Sequence, residues 1–445
     1  MYVRPDECYN KEGVIELSKN QIKEIIIKED ANLAIPALLK RLTGKKKIYL
    51  IADDNTYSVA GKELSDSLKY NGYQVKEVIL EGKKIVANTD YFFKILKDVT
   101  RDGYLIACGS GTINDMTRYI SYKLESPYMI VATAPSMDGY ASPVSPITVD
   151  GVKTTYKAVT AEAIVADINV LRDAPWEMIQ AGFGDLLGKI SALMDWKLSS
   201  ILFGVDMNQE AISLVEEELI SIIGLTTELN DRTVQSIRVL TKGLINSGIA
   251  MQIVGNSRPA SGTEHHISHF LEMYGELYDK KLPPHGIKVA LGEYFAAKLY
   301  LKLYEQDFSG FKNIDNLENR RERIRENYLI RAEPVLKTLA ERWEDHQLDI
   351  KLLKEKEREI KSLIKEKEQY LNGIENYLAD TGILIRDDVK SIDKEWLLKA
   401  VQSAFEIRNR YTVAALLDQL GLLEKWSYEI VDDFLQLLRQ ENTDS

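Results

Sequence analysis

Cysteine, histidine and net positive charge are all scarce in this chain of 445 residues. It has two cysteines and five histidines. Cys8 and Cys108 form no Cys-x-x-Cys pair, which excludes a disulfide framework and fits a reducing compartment. No apolar run approaches the length needed to span a bilayer, and residues 1–8 lack the apolar core of a secretory leader. A cytoplasmic protein with no membrane span is therefore expected. Lys+Arg number 57 against 68 Asp+Glu, a formal net charge of -11. That balance argues against a general nucleic-acid binder, because phosphate contacts need clustered Lys and Arg; local basic pockets stay open. There is no internal repeat or low-complexity tract. What remains is an ordinary globular composition, 45% hydrophobic, 28% charged and 9% aromatic, with the length to bury a core in each of two or three domains.

The first third alternates short β-rich runs with helical patterns. Strands are expected at residues 47–53, 75–80, 104–108 and 128–132, and helices at 57–70, 91–99 and 113–124. Alternation of this kind predicts βαβ units and a mostly parallel sheet covered on both faces. Ligands of such sheets bind beyond the carboxyl ends of the strands. After about Leu171 apolar residues recur at helical spacing almost to the end. The reading is an α/β N-terminal dinucleotide-binding domain over residues 1–170, followed by an all-α domain over 171–445, with breaks at 256–262 and 281–286. Residues 349–377 read as one long charged helix. Its Leu353, Ile360, Ile364, Leu371 and Ile374 approximate a coiled-coil or helix-hairpin seam, and its charges read as a solvated face.

Gly109-Ser110-Gly111-Thr112-Ile113-Asn114-Asp115 follows an expected strand and opens an expected helix. Glycines there let backbone N–H groups approach a phosphate at a positive helix end. The full dinucleotide fingerprint is not met, because Asn114 stands where the third glycine would be. The acidic residue for the ribose is displaced too. Its best candidate is Asp53, at the end of an earlier strand, so a different strand order is expected; Asp53 reads equally well as a helix N-cap. Thr133-Ala134-Pro135-Ser136-Met137-Asp138-Gly139-Tyr140-Ala141-Ser142 follows the next strand. By itself it is only a polar loop at the sheet's carboxyl edge.

Three of the five histidines fall in Thr263-Glu264-His265-His266-Ile267-Ser268-His269, and a fourth in Leu282-Pro283-Pro284-His285-Gly286. Residues four apart on a helix share a face, so His265 and His269 project together, as do Asp185 and Lys189. Asp185 sits among Leu186, Leu187, Ile190 and Leu193, and a buried carboxylate needs a partner or a metal. One carboxylate with two imidazoles is a ligand set for a divalent ion that leaves a position open. Such an ion polarises oxygen on carbon, which points to alcohol or carbonyl chemistry. His266 points elsewhere, to core or surface.

These words together resemble the sn-glycerol-1-phosphate dehydrogenases, within the superfamily of iron- and zinc-containing polyol dehydrogenases and 3-dehydroquinate synthases. The most specific are residues 133–142, Gly182-Phe183-Gly184-Asp185-Leu186-Leu187-Gly188-Lys189 and Ser261-Gly262-Thr263-Glu264-His265-His266-Ile267-Ser268-His269. The resemblance implies that Asp185, His265 and His285 hold zinc or nickel. It implies that NAD(P) is bound by Gly109, Gly111, Thr112, Ile113, Asn114 and Asp115 and by Thr133, Ala134, Pro135 and Ser136. Ser142 would lie near the nicotinamide and Asp53 near the adenosine ribose. Asp138 and His269 would contact substrate, with Asp185 beside them, and act as proton relays. Ser110 replaces a glycine common at its position. The implied reaction is reversible reduction of dihydroxyacetone phosphate to sn-glycerol 1-phosphate. Lys189, Arg258 and His269 are the local candidates for the phosphate. A dehydrogenase of an unphosphorylated polyol, a cyclising lyase and a non-catalytic scaffold are the competing readings. A homodimer is expected only from the charged helix.

Overall fold

The computed structural model describes residues 14–15, 22–82, 85–149, 152–314, 317–343 and 345–440. They form two compact units. One is drawn from Met1–Gly182 and Glu228–Ile253, the other from Phe183–Thr227 and Val254–Ser445. Cys8 and the leader region lie outside the described residues.

The first unit is built on a seven-stranded sheet. Its strands are β1 (Val14–Ile15), β2 (Glu24–Lys28), β3 (Lys47–Asp53), β4 (Gln74–Leu80), β5 (Tyr104–Gly109), β6 (Tyr128–Ala132) and β9 (Ala163–Asp167). The spatial order is β1-β2-β9-β6-β5-β3-β4. All neighbours run parallel except β1, which is antiparallel to β2. Every residue of β5, β6 and β9 is buried. That is why these strands read as unbroken apolar runs, while the edge strand β4 alternates. Helices α1 (Ile35–Leu42), α2 (Lys62–Tyr70), α3 (Thr89–Leu96) and α4 (Gly111–Leu124) connect the strands. One core layer packs Leu38 and Leu64 on Leu50, Ile106, Val131 and Val165. The hairpin of β7 (Val144–Val149) and β8 (Val152–Lys157) stands apart from the sheet. It was not foreseen, and neither were β2 and β9.

The order of β4, β3, β5, β6 and β9 matters for binding. From β3 the chain steps outward to β4, then returns to the other side of β3 for β5, β6 and β9. The connections thus diverge between β3 and β5, the switch point where parallel sheets open a crevice at their carboxyl ends.

The second unit is helical. It holds the end of α5 (Trp176–Leu187), then α6 (Lys189–Phe203), α8 (Thr263–Leu277), α9 (His285–Tyr304) and α10 (Glu357–Asn372); α7 (Val234–Val254) belongs almost wholly to the first unit. Two glycines permit the tightest crossings. A Cβ on Gly184 of α5 would collide with the Gly286 carbonyl of α9, and one on Gly292 of α9 would collide with the Glu264 backbone of α8. Each crossing lies one residue from Asp185, His285 or His265. Asp195 of α6 ties distant segments together. Its carboxylate accepts from Thr263 N (2.7 Å), Thr263 Oγ1 (2.8 Å), Tyr300 Oη (2.7 Å) and Val413 N (2.8 Å).

The charged segment is not one helix. It is divided into Ile350–Glu355, α10 and Ile374–Asp380, with breaks at Lys356 and Gly373. Leu353, Ile360, Ile364, Leu371 and Ile374 are all fully buried, and α10 packs on α6 and α9. The apolar seam is therefore filled from within its own unit. The opposite face carries local pairs such as Lys365–Glu368 (2.6 Å) and Lys361–Glu357 (2.9 Å), as a solvated face does.

Candidate active site

The carboxyl ends of β3 and β5 frame a cleft of about 420 Å³, lined by Asp53, Asp54, Asn55, Gly82, Ile85, Ser110, Thr112 and Ile113. Asp53 ends β3 and makes a reciprocal cap with Thr56. Its carboxylate accepts from Thr56 N (2.8 Å), while its own N–H donates to Thr56 Oγ1 (3.0 Å). Asp53 is thus a helix cap, and it also lines the cleft. Gly109 closes β5 and α4 begins at Gly111 after Ser110, so the helix N-terminus opens at the switch point. Asn114 is buried, and Asp115 pairs with Arg118 (2.8 Å).

Thr133, Ala134, Pro135 and Ser136 lie in the loop after β6, outside the residues lining that cleft. Tyr140 Oη donates to the Ala134 carbonyl (2.6 Å). Ser142 follows the 3-10 turn Asp138–Ala141 and is buried. Asp138 accepts from Ser247 Oγ of α7 (2.9 Å). Arg118 shapes this loop. Its buried guanidinium donates to the carbonyls of Gly139, Tyr140 (3.2 Å) and Val144 (2.8 Å). Nothing local in the sequence marks Arg118 for that task, because its acceptors are backbone atoms.

In the helical unit the expected ligands converge. One donor atom each from Asp185, His265 and His285 lies within 4.8 Å of the others. Asp185 is buried and His285 half-buried. His265 Nε2 stands 3.4 Å from Asp185 Oδ1. The donor set fits a divalent ion, and the surroundings strengthen the fit. His265 Nδ1 meets Glu264 Oε1 at 2.7 Å, and His285 Nδ1 meets Glu272 Oε1 at 2.7 Å. A carboxylate on Nδ1 holds the proton there and presents the Nε2 lone pair, as the carboxylates behind metal-bound histidines do. Glu264 is itself fixed by the Gly262 N–H (2.9 and 3.1 Å) and Ser191 Oγ (3.0 Å). Neither glutamate was foreseen. Glu264 sits beside His265 in sequence, a spacing that does not bring helix side chains face to face, and Glu272 is three residues past His269, a spacing that also suits a plain helix-surface pair.

Lys189 is fully buried. Its ammonium donates to Asp185 Oδ1 (2.9 Å) and to the Ala260 carbonyl (3.0 Å). Burial alone would raise the Asp185 carboxyl; the Lys189 ammonium, followed by His265 and His285, holds it well below the usual carboxylate range. His269 stacks on His285 with ring centroids 5.4 Å apart, and its Nδ1 lies 3.3 Å from Glu272 Oε2. Burial depresses its pKa to about 3 against the pull of Glu272, with Arg408 and His285 adding repulsion. His269, Glu272 and His285 form a second convergent trio that shares His285 with the first. His266 is a core residue. Arg258 sits half-buried in the short 3-10 turn Arg258–Ala260.

Comparison with known proteins agrees with this architecture. Residues 26–175 match the family model "Iron-containing alcohol dehydrogenase". Among solved structures, the chain is similar to a probable glycerol dehydrogenase from Sinorhizobium meliloti 1021 (TM-score 0.59, 13% identity, covering 91% of this chain and 97% of that one). It is also similar to an iron-containing alcohol dehydrogenase from Thermococcus thioreducens (TM-score 0.57, 16% identity, covering 95% and 100%). The fold is that of the iron-containing alcohol dehydrogenases. Among curated relatives, the glycerol-1-phosphate dehydrogenase [NAD(P)+] of Bacillus subtilis (strain 168) is 36% identical over 293 residues, 64% of this chain and 74% of that protein. The enzyme of that name from Geobacillus stearothermophilus is 29% identical over 408 residues, 91% of this chain and 94% of its own. The chain belongs to the glycerol-1-phosphate dehydrogenase family.

Proposed function

We propose that this protein catalyses the reversible, NAD(P)H-linked, metal-dependent reduction of dihydroxyacetone phosphate to sn-glycerol 1-phosphate. The observation that carries the reading is the convergence of Asp185, His265 and His285 in a member of this family. These three would hold a divalent ion, zinc or nickel, which when bound supplies Lewis-acid polarisation of a carbonyl oxygen. Glu264 and Glu272 aim the imidazoles, and Lys189 keeps Asp185 ionised. The cleft beside Asp53, Ser110 and Thr112 would take the nucleotide, with the loops at 109–115 and 133–136 receiving its phosphates and Ser142 near the nicotinamide. When bound, the reduced nicotinamide would supply the hydride for C2 of the ketone, and a proton must reach the C2 oxygen. Asp138 and His269 are the proton carriers we would test first.

Of the three expected phosphate contacts, Lys189 is already held between Asp185 and the Ala260 carbonyl, which suits it to the metal side. Arg258 and His269 are left to meet the phosphate. The test is nicotinamide absorbance with dihydroxyacetone phosphate, using metal-stripped protein and the same protein after zinc or nickel is restored. The expected result is oxidation of the cofactor only when metal is present, with sn-glycerol 1-phosphate as the enantiomer recovered. Turnover of dihydroxyacetone with none of its phosphate ester would overturn the substrate. Turnover undiminished by stripping would overturn the metal.

A further inference from the structure

Glu293 of α9 is wholly buried and takes no part in the chemistry proposed above. The N–H of Ser191 on α6 donates to its Oε2 (3.2 Å), and the Ser191 hydroxyl lies 2.5 Å from the same atom. Glu293 Oε1 meets no hydrogen-bond partner. Among the described residues no Lys, Arg or His forms an ion pair with Glu293. Two further carboxyls, Glu264 and Asp195, act on it instead. An ionised Glu293 would thus be a buried charge with no counter-charge, which is costly enough that such groups stay neutral. Burial, with repulsion from Glu264, raises its pKa well above the usual carboxylate range against the hydrogen bonds from Ser191.

Counting hydrogens leads to the same state. Ser191 Oγ stands between two carboxyls, 2.5 Å from Glu293 Oε2 and 3.0 Å from Glu264 Oε2. A hydroxyl carries a single hydrogen. It can serve one of these contacts, and the other needs a hydrogen from a carboxyl. Glu264 already accepts on both oxygens. The Gly262 N–H reaches Oε1 (2.9 Å) and Oε2 (3.1 Å), and His265 Nδ1 meets Oε1 at 2.7 Å. Glu264 also acts on a cation, Arg410. That guanidinium is held by Ser257 Oγ (3.0 Å) and by the carbonyls of Ser257 (3.3 Å) and Ser261. The hydrogen therefore belongs to Glu293 Oε2, which keeps a lone pair for the Ser191 N–H. It points at Ser191 Oγ, the Ser191 hydrogen points at Glu264 Oε2, and Glu264 accepts from His265 Nδ1. One chain of hydrogen bonds runs from α9 through α6 to the imidazole on α8.

We propose that Glu293 is a positioning residue for the metal centre: it donates a hydrogen bond to Ser191 and, through Ser191 and Glu264, fixes the ring of His265 with its proton on Nδ1. This rests on the proposed function in taking His265 as a ligand.

The experiment is infrared difference spectroscopy on the full chain, metal-free and after zinc is added. Work at about pH 8 lies above the value of about 6 to which Asp195 is raised, so that group is ionised. The carbonyl stretch of a neutral carboxylic acid is separate from the bands of carboxylates. The unaltered protein should show such a band, and Glu293→Gln should lack it. Zinc on His265 should shift the band, because a metal-bound imidazole donates more strongly to Glu264 and the change passes along the chain. Ser191→Ala should remove the shift, and Ser191→Thr, which keeps the hydroxyl, should retain it. Competition against a chelator should show zinc binding weakened about two- to tenfold in Ser191→Ala, the scale of one hydrogen bond, with recovery in Ser191→Thr. A spectrum in which Glu293→Gln removes no neutral-acid band overturns the donor. A band that zinc leaves in place, or equal zinc binding by Ser191→Ala, overturns the positioning role. Should Glu293→Gln not fold, Ser191→Ala decides: a displaced band in the metal-free protein supports the donor, and an undisplaced one overturns it. None of these readouts needs turnover, so failure to reduce dihydroxyacetone phosphate would sink the proposed function alone, whereas a protein that binds no zinc would sink both.

Discussion

Replacing Glu272 by Gln should weaken metal binding by one to two orders of magnitude without unfolding the protein. Glu272 offers Oε1 to His285 Nδ1 at 2.7 Å and Oε2 to His269 Nδ1 at 3.3 Å, and Lys288 Nζ lies 3.5 Å from Oε1. A glutamine has only one accepting oxygen. If its NH2 faces His285, the imidazole must turn its Nδ1 lone pair toward that donor and carry its proton on Nε2, where it can no longer bind an ion. If its oxygen faces His285, the NH2 meets the Nδ1–H of His269 instead. Either arrangement costs an interaction that currently presets the ring. Loss of such an outer-sphere partner costs about 10–100-fold in metal affinity, or about 1.4–2.7 kcal/mol. The assay is competition for zinc against a chromophoric chelator, with far-UV circular dichroism melts of the metal-free proteins as the control for folding. A dissociation constant within twofold of the unaltered protein would refute the orienting role. A loss beyond a thousandfold would make Glu272 itself a ligand, in the trio with His269 and His285.

Asp185→Asn should abolish tight metal binding and also lower stability by about 3–5 kcal/mol, because the buried Lys189 ammonium loses its counter-charge; adding Lys189→Met should restore the denaturation midpoint while leaving metal binding absent. Gly184→Ala should destabilise by about 1–3 kcal/mol through its collision with the Gly286 carbonyl, and an unshifted thermal melt would deny that close approach. Burial, with Glu264 adding repulsion, raises the Asp195 carboxyl from 3.8 to about 6 against its hydrogen bonds. The folded state thus keeps a proton on this group, between about pH 4 and 6, that the unfolded chain has released. The contribution of Asp195 to stability is therefore greatest below that window, declines by about 3 kcal/mol as pH rises through it, and is level above. Urea denaturation from pH 4 to 7 should show a decline in the unaltered protein that exceeds the decline in Asp195→Asn; parallel curves would contradict it.

The sheet was legible where burial on both faces made strands continuous. Residues 104–108 and 128–132 could be read as strands because no polar residue interrupts the apolar run. β2 has only three apolar residues between a glutamate and a lysine, and β9 only four before an aspartate, so neither stood out, and the hairpin β7–β8 lies in a stretch rich in Ser, Thr and Pro. The seam from Leu353 to Ile374 was visible, but its interruption at Lys356 and Gly373 was not. A single Gly inside a helical pattern is tolerated often enough that it signals no break by itself. At the site, the histidines stood out because the chain has so few, and their spacing on one helix face brought His265 and His269 into one group. The groups that act through other residues stayed hidden. Glu264 and Glu272 look like routine helix carboxylates, Arg118 works on backbone carbonyls, and Arg410 reaches a loop about 150 positions away.

Asp185, His265, His285 and the two carboxylates on their imidazoles belong to the helical unit, whereas every residue lining the cleft at the carboxyl ends of β3 and β5 belongs to the sheet-bearing unit. Under the proposed function, ion and dinucleotide would thus load on separate sets of groups, and protein short of the ion would still be able to capture its dinucleotide.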